Sequence, residues 1–189
     1  MKTGKLFVVS APSGSGKTTL CNKLLEDGLG LANSVSMTTR TPRPGETGGV
    51  DYHFVTRKKF LGLVKTGGFL EHENNFGHLY GTPKSFIEKN LDAGSDVLLS
   101  IDVKGAMKVR RQYPKDSVLI FIRPPSIVVL KKRLLSRRSE DVQTIAKRLG
   151  IAKKEMAYRG KYNYCIVNDR LATAYKKLKN IILSELSTK

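Results

Sequence analysis

Apolar residues return along this chain in two rhythms. Short runs that are apolar at nearly every position recur at 6–9 (LFVV), 97–101 (VLLSI), 118–122 (VLIFI) and 164–167 (YCIV). Their length and their Val/Ile content predict strands buried on both faces of a sheet. Between them, apolar residues come back every three or four positions. Ile145, Leu149, Ala152 and Met156 do so within 141–160, and Leu171, Ala174, Leu178 and Ile182 within 170–187. Each set forms one stripe of an amphipathic helix. A further helix is expected to start at Lys17. Strands alternating with helices predict an α/β core built on a parallel sheet.

The stretch 34–82 breaks both rhythms. It is rich in Thr, Pro, Gly and aromatic residues (TTRTPRPGETGGVDYHF) and holds short alternating segments such as VDYHFV. This composition predicts a small, mostly β insertion carried on the core, with joins near 33 and 83–90. A length of 189 residues suits one domain, or one core with an inserted subdomain. With 40% hydrophobic and 26% charged residues the composition is that of a soluble globular protein. No apolar run approaches the ~20 residues of a bilayer span. The opening run LFVV is shorter than the roughly 7–15 residues of a secretory signal and leads straight into a glycine-rich loop, so a cytoplasmic location is expected. Cys21 and Cys165 have no pairing or metal-ligand spacing and are expected to be reduced core residues.

Charge changes the picture only in part. The net charge of +18 is unevenly placed: residues 1–103 hold 12 Lys and Arg against 10 Asp and Glu, and residues 104–189 hold 22 against 6. Such a field speeds encounter with any polyanion, nucleotides included. No aromatic-interleaved basic segment or nucleic-acid motif accompanies it, so solvated helix faces and phosphate ligands are expected, and nucleic acid is not.

The clearest chemistry lies in SAPSGSGKTTL, which follows the first apolar run. It reads as G-x-x-x-x-G-K-[ST] with Ala11 in place of the first Gly. Gly14 and Gly16 let the backbone turn so that successive N–H groups face inward, at the start of a helix, which suits phosphate oxygens. Lys17 adds a charge for the outer phosphates, and Thr18 a hydroxyl for Mg²⁺. Ala11, Pro12, Ser13, Gly14, Ser15, Gly16, Lys17, Thr18 and Thr19 are therefore the expected nucleotide-phosphate-binding loop. Such a loop occurs in ATPases, GTPases and small-molecule kinases alike.

Further along, Arg40 and Arg43 stand three apart in a turn stiffened by Pro42 and Pro44. Two guanidinium forks on a stiff turn suit a phosphate. FLEH (69–72) and LYGTP (79–83) offer a carboxylate, a Tyr hydroxyl and a Thr hydroxyl.

In order along the chain stand SAPSGSGKTT, SVSMTTRTPRPGE, VDYHFV, FLEH, YGT, LLSIDVKGA, FIRPPS, LKKRL, KRL at 147–149 and IVND at 166–169. This ordered set resembles the guanylate kinases over nearly the whole chain. The resemblance implies a P-loop NTPase-type parallel sheet flanked by helices, with a small mostly-β GMP-binding insertion and a helical lid. It implies phosphoryl transfer from ATP to GMP or dGMP with Mg²⁺ held at Thr18. By the same resemblance, 1–33, 87–134 and 149–189 would be core, 34–86 the GMP-binding subdomain and 135–148 the lid. Ser36, Arg40, Arg43, Tyr52, Glu71, Tyr80, Thr82 and Asp102 would bind GMP. A carboxylate at Glu71 could accept from N1–H and the exocyclic amine of guanine, a donor pair that adenine lacks. Arg133 and Asn168 would join the ATP site, Asn168 at the adenine. Lys17, Arg43, Arg137 and Arg148 would be catalytic, neutralising charge on the transferring phosphoryl group.

Two positions depart from the family pattern. Arg137-Arg138 stands where the family has Arg-Gly, and Ser100 replaces the first Asp of D-I-D, bringing no negative charge toward a metal. A weakened binding domain of the same fold and a related P-loop small-molecule kinase are the alternatives. Monomer and homodimer are both open.

Overall fold

The computed structural model describes residues 3–75, 77–136 and 142–188. From the start of the chain, β1 (Leu6–Ser10) leads through the glycine-rich loop to α1 (Lys17–Glu26). Next come β2 (Ala32–Ser34), β3 (Met37–Thr38), β4 (His53–Phe54), α2 (Arg57–Lys65), β5 (Phe69–Asn75), β6 (His78–Pro83) and α3 (Lys84–Asp92). The second half runs β7 (Val97–Ser100), α4 (Val103–Gln112), β8 (Ser117–Arg123), α5 (Ile127–Leu135), α6 (Val142–Met156), β9 (Tyr164–Val167) and α7 (Leu171–Ser187).

The strands form two sheets. Five have the order β2-β7-β1-β8-β9, with β2 parallel to β7 and β8 parallel to β9. Every residue of β1 is buried, as are Ser117–Ile122 of β8, which is what their unbroken apolar pattern requires of central strands. β9 is an edge strand, and there the expectation needs correcting: Cys165 is exposed while Cys21 is buried. The other sheet has the order β4-β3-β6-β5 and supplies the predicted β insertion.

The chain divides into two compact units, Met1–Leu6 with Gly30–Leu99 and Met107–Ser117, and Phe7–Leu29 with Ser100–Ala106 and Val118–Lys189. Within the first, β5 and β6 pair antiparallel, with an irregularity between Phe69 and Glu71 that brings Glu71 opposite Thr82. Helix α2, which the Thr/Pro-rich composition concealed, packs Phe60 against Phe69 with ring centroids 4.4 Å apart. Thr56 caps that helix by accepting from Lys59 N. Gly81 lies under this stack: a Cβ there would come within 2.8 Å of the Phe69 ring.

Within the second unit, the stripe predicted on α6 packs Ile145 and Ala152 against Leu130 and Leu134 of α5, with Leu149 beside them. The α7 stripe buries Ala174, Leu178 and Ile182. Tyr175 and Lys179 of α7 both donate to Asp27 Oδ2 at the end of α1.

Candidate active site

The loop after β1 turns as its glycines predict. Gly14 and Gly16 sit at φ 89° and 88°, in the left-handed region that glycine adopts without strain. Ser15 N donates to Pro12 O at 3.0 Å, closing the turn. A Cβ on Gly14 would press within 2.9 Å of Leu134. Gly16 is the N-cap of α1 and, having no side chain, leaves the amides of the first turn uncapped. Uncapped amides at a helix start are the donors an anion needs. Ala11 is 7% exposed, so its methyl replaces the pattern's glycine as part of the core.

Side chains from distant segments close on this loop. Arg148 Nη1 donates to Ser13 Oγ at 2.7 Å. Asn168 Nδ2 donates to Ser15 O at 2.8 Å, and Arg133 Nη2 donates to Asn168 O at 2.9 Å. Asn168 is 4% exposed, so its amide is enclosed against the loop. Lys17 Nζ donates to Ile101 O at 2.9 Å. Thr18 and Thr19 are exposed at the start of α1. Asp102 accepts from Gly105 N at 2.8 Å, and Ser10 Oγ donates to its carbonyl at 3.4 Å. Ser100 hydrogen-bonds Cys21, whose thiol burial pushes up to about 11 despite the lowering influence of Lys17 and of Ser100.

Sequence reasoning passed over Glu155 in this unit. Burial pushes its carboxyl up to about 7, the charge of Asp102 adds to the rise, and Lys17 and Lys104 oppose it. Tyr162 lies in the same neighbourhood, 9% exposed, its ring centroid 5.0 Å from that of Phe121. Its hydroxyl is pushed up by burial, with Asp102 and Glu155 adding to that. Glu155 falls outside the α6 apolar stripe, so periodicity gave no signal. Its position directly before Met156, the stripe's last member, was the available clue.

In the other unit, two of the residues expected on the GMP side, Tyr52 and Tyr80, meet Arg40. Its Nε donates to the Tyr80 hydroxyl at 3.2 Å, Nη1 to Thr41 O at 2.7 Å and Nη2 to Glu46 Oε1 at 2.8 Å. The guanidinium carbon lies 5.5 Å from the Tyr52 ring centroid and 5.8 Å from that of Phe54. Tyr52 and Tyr80 meet edge to face at 5.8 Å. Burial disfavours the Arg40 charge, yet hydrogen bonds to Glu46 and Tyr80 more than offset this and hold its proton more firmly than usual. Burial likewise raises the Tyr52 hydroxyl.

Glu46, also unanticipated, links both arginines. Its Oε2 accepts from Arg43 N at 2.8 Å while Oε1 takes Arg40. Burial works against its charge, but Arg40 foremost lowers it below the ordinary carboxylate range. The i, i+3 and i, i+6 spacing from Arg43 and Arg40 was the readable signal. Glu71, 7% exposed, accepts from Thr82 Oγ1 at 2.6 Å, and Thr82 is fully buried. Ser36 O accepts from His53 N at 2.9 Å, placing Ser36 beside the β3–β4 pair. Arg137, expected in catalysis, lies outside the described residues.

A parallel sheet whose first strand runs through an open amide loop into a helix, with a lysine opening that helix, defines a P-loop nucleotide-binding protein. The chain belongs to the guanylate kinase family, whose model matches residues 3–185. It is 48% identical over 182 residues to the guanylate kinase of Wolbachia pipientis wMel, covering 96% of this chain and 90% of that one. It is 47% identical over 182 residues to the guanylate kinase of Clostridium perfringens strain 13, covering 96% and 84%. The crystal structure of guanylate kinase from Anaplasma phagocytophilum superposes with a TM-score of 0.82 at 38% identity, covering 97% of this chain and 87% of that one. As a member of this family the chain is a nucleoside monophosphate kinase, an ATP:GMP phosphotransferase of purine nucleotide metabolism.

Proposed function

We propose a division of labour for transfer of the γ-phosphate of ATP to GMP or dGMP. The observation that carries it is the buried Glu71–Thr82 pair in a sheet that also gathers Arg40, Tyr52 and Tyr80. A carboxylate enclosed at this position accepts the N1–H and exocyclic amine of guanine. Adenine presents no such donor pair and forfeits both hydrogen bonds to the carboxylate, at a cost of about 1–3 kcal/mol or more. Ser36, Arg40, Arg43, Tyr52, Tyr80 and Asp102 complete the GMP contacts. Arg40 is oriented in advance by Glu46 and Tyr80.

The loop Ala11–Thr19 and Arg133 take the phosphates of ATP, Lys17 leaving Ile101 O for the outer phosphates. Lys17, Arg43, Arg137 and Arg148 neutralise charge that spreads over the transferring group. Residues 34–86 form the GMP-binding subdomain, 135–148 the lid, and 1–33, 87–134 and 149–189 the core.

Magnesium fits this arrangement as an ion carried by the nucleotide. Among the described residues no group of three or more His, Cys, Asp or Glu side chains is built to hold a metal. The Thr18 hydroxyl, exposed on the first turn of α1, would hold Mg²⁺ brought in with the nucleotide. When bound, Mg²⁺ supplies charge neutralisation at the β- and γ-phosphates.

The substrates are small molecules of the cytoplasm, and no described helix is long and apolar enough to cross a membrane. Nucleic acid has no part in this reading, and the roles above suit a monomer or a homodimer. Coupled release of ADP, measured with ATP, Mg²⁺ and each of GMP, dGMP, AMP, CMP and UMP, tests it. Turnover on GMP and dGMP alone is expected; equal turnover on AMP would remove the guanine reading.

A further inference from the structure

The peptide that joins Ser15 to Gly16 lies inside the phosphate loop, immediately before α1. Its carbonyl accepts from Asn168 Nδ2 at 2.8 Å. A trans peptide is planar, with C=O and N–H on opposite sides. Drawing the carbonyl toward Asn168 therefore turns the Gly16 N–H the other way and fixes its direction.

Asn168 is itself held firmly enough to do this. Its backbone N donates to Arg123 O at 2.8 Å, its carbonyl accepts from Arg133 Nη2 at 2.9 Å, and it is 4% exposed. Gly16 is shaped to receive it: a Cβ at Gly16 would collide with Asn168 Nδ2. Strand end, helix α5 and loop thus converge on one residue.

We propose that Asn168 is a positioning residue for the phosphate loop, acting on the triphosphate of the donor nucleotide rather than on its base. The inference rests on the loop's reading as the ATP phosphate site. An amide already aimed at the anion needs no reorientation when nucleotide binds, so affinity for phosphate rises without any contact to the base.

The test compares dissociation constants of ATP and inorganic tripolyphosphate, each with Mg²⁺, in the full chain and in Asn168→Ala and Asn168→Asp. GMP binding serves as the control. Tripolyphosphate should compete with ATP, but not with GMP, in the unaltered protein. If it leaves ATP binding untouched, the loop reading falls and this inference with it. Asn168→Ala is expected to weaken ATP and tripolyphosphate alike by about tenfold, the worth of one hydrogen bond to a charged group. Asn168→Asp keeps the shape but replaces the donor with a negative acceptor, and should lose at least as much. GMP affinity should not move in either variant. A loss confined to ATP, with tripolyphosphate unchanged, overturns the proposal in favour of a base contact. No loss for either ligand overturns it too, and a parallel loss of GMP binding would show a general role in the fold instead.

Discussion

Thr82 donates to Glu71 across 2.6 Å, and the two face each other across the β5–β6 pair with almost no exposure to solvent. Burying a carboxylate is costly unless hydrogen bonds compensate it, and Thr82 supplies one; the proposed guanine contact would supply more. Glu71→Gln exchanges an acceptor for a donor against the guanine N1–H and the Thr82 hydroxyl. The expected result is a loss of kcat/KM for GMP of about 10²–10³, with KM for ATP unchanged. Steady-state kinetics with each substrate varied separately measures it. A loss shared equally between the two substrates would place Glu71 elsewhere in the mechanism.

Arg148 reaches Ser13 Oγ from α6, the helix that follows the proposed lid. Arg148→Ala should lower kcat by about 10²–10³, because only the transition state calls fully on the guanidinium. Arg148→Lys should recover little, since an ammonium lacks the planar fork. Single-turnover rates read this directly. An unchanged chemical step in Arg148→Ala would contradict the role.

Ser100 ends β7 and spends its hydroxyl on Cys21. Ser100→Asp would bring a carboxylate toward the first turn of α1, where Thr18 offers its hydroxyl. Activity is expected to rise, or the Mg²⁺ concentration giving half-maximal rate to fall. A Mg²⁺ titration of the variant that overlays the original curve at the same maximal rate would show the substitution to be silent.

Glu155 makes stability depend on pH with a definite sign. Its carboxyl is raised from 4.5 to about 7, so between these values the folded chain holds a proton that the unfolded chain has lost. Stability from this group is therefore complete below about pH 4.5, declines as pH rises toward about 7, and is absent above it. The penalty at pH 8 is on the order of 3 kcal/mol. Glu155→Gln should remove it, raising resistance to urea at pH 8 and changing little at pH 4.5. Equal effects at both pH values would mean that the glutamine repacks the site rather than removing a charge.

The two cysteines should separate by reactivity. Cys165 is exposed on an edge strand, whereas Cys21 is 3% exposed and its thiol is pushed up to about 11. One thiol is expected to react with a chromogenic disulfide in the native protein and the second only after unfolding. Two fast equivalents in the native state would mean that α1 opens readily.

Much of this was readable from residues alone. The strands at 6, 97 and 118 declared themselves because central strands of a parallel sheet are apolar on both faces, and the loop because few backbones need two glycines before a lysine. β2 did not: three residues, ANS, carry no alternation, and it takes its place by pairing with β7. Helix α2 was masked by the Thr, Pro and Gly around it, although Thr56 and the apolar Phe60 mark it in retrospect. Glu46, which orients Arg40, went unread although its i, i+3 and i, i+6 spacing from Arg43 and Arg40 was available, because a carboxylate just after two arginines reads as ordinary charge mixing. Asn168 was identified and given the adenine; its enclosure against Ser15 O and Gly16 is a tertiary fact that no local pattern encodes.

Tyr175 and Lys179 close on Asp27, the residue that ends the helix begun in the phosphate loop. Mechanically, α1 is then a strut about 15 Å long with the glycine-rich loop at one end and α7 clamped to the other. Force applied through α7, by a tether or a surface attachment, travels along that strut to the amides proposed to hold the phosphate. Immobilising the enzyme by that helix would strain the glycine-rich loop at the strut's far end.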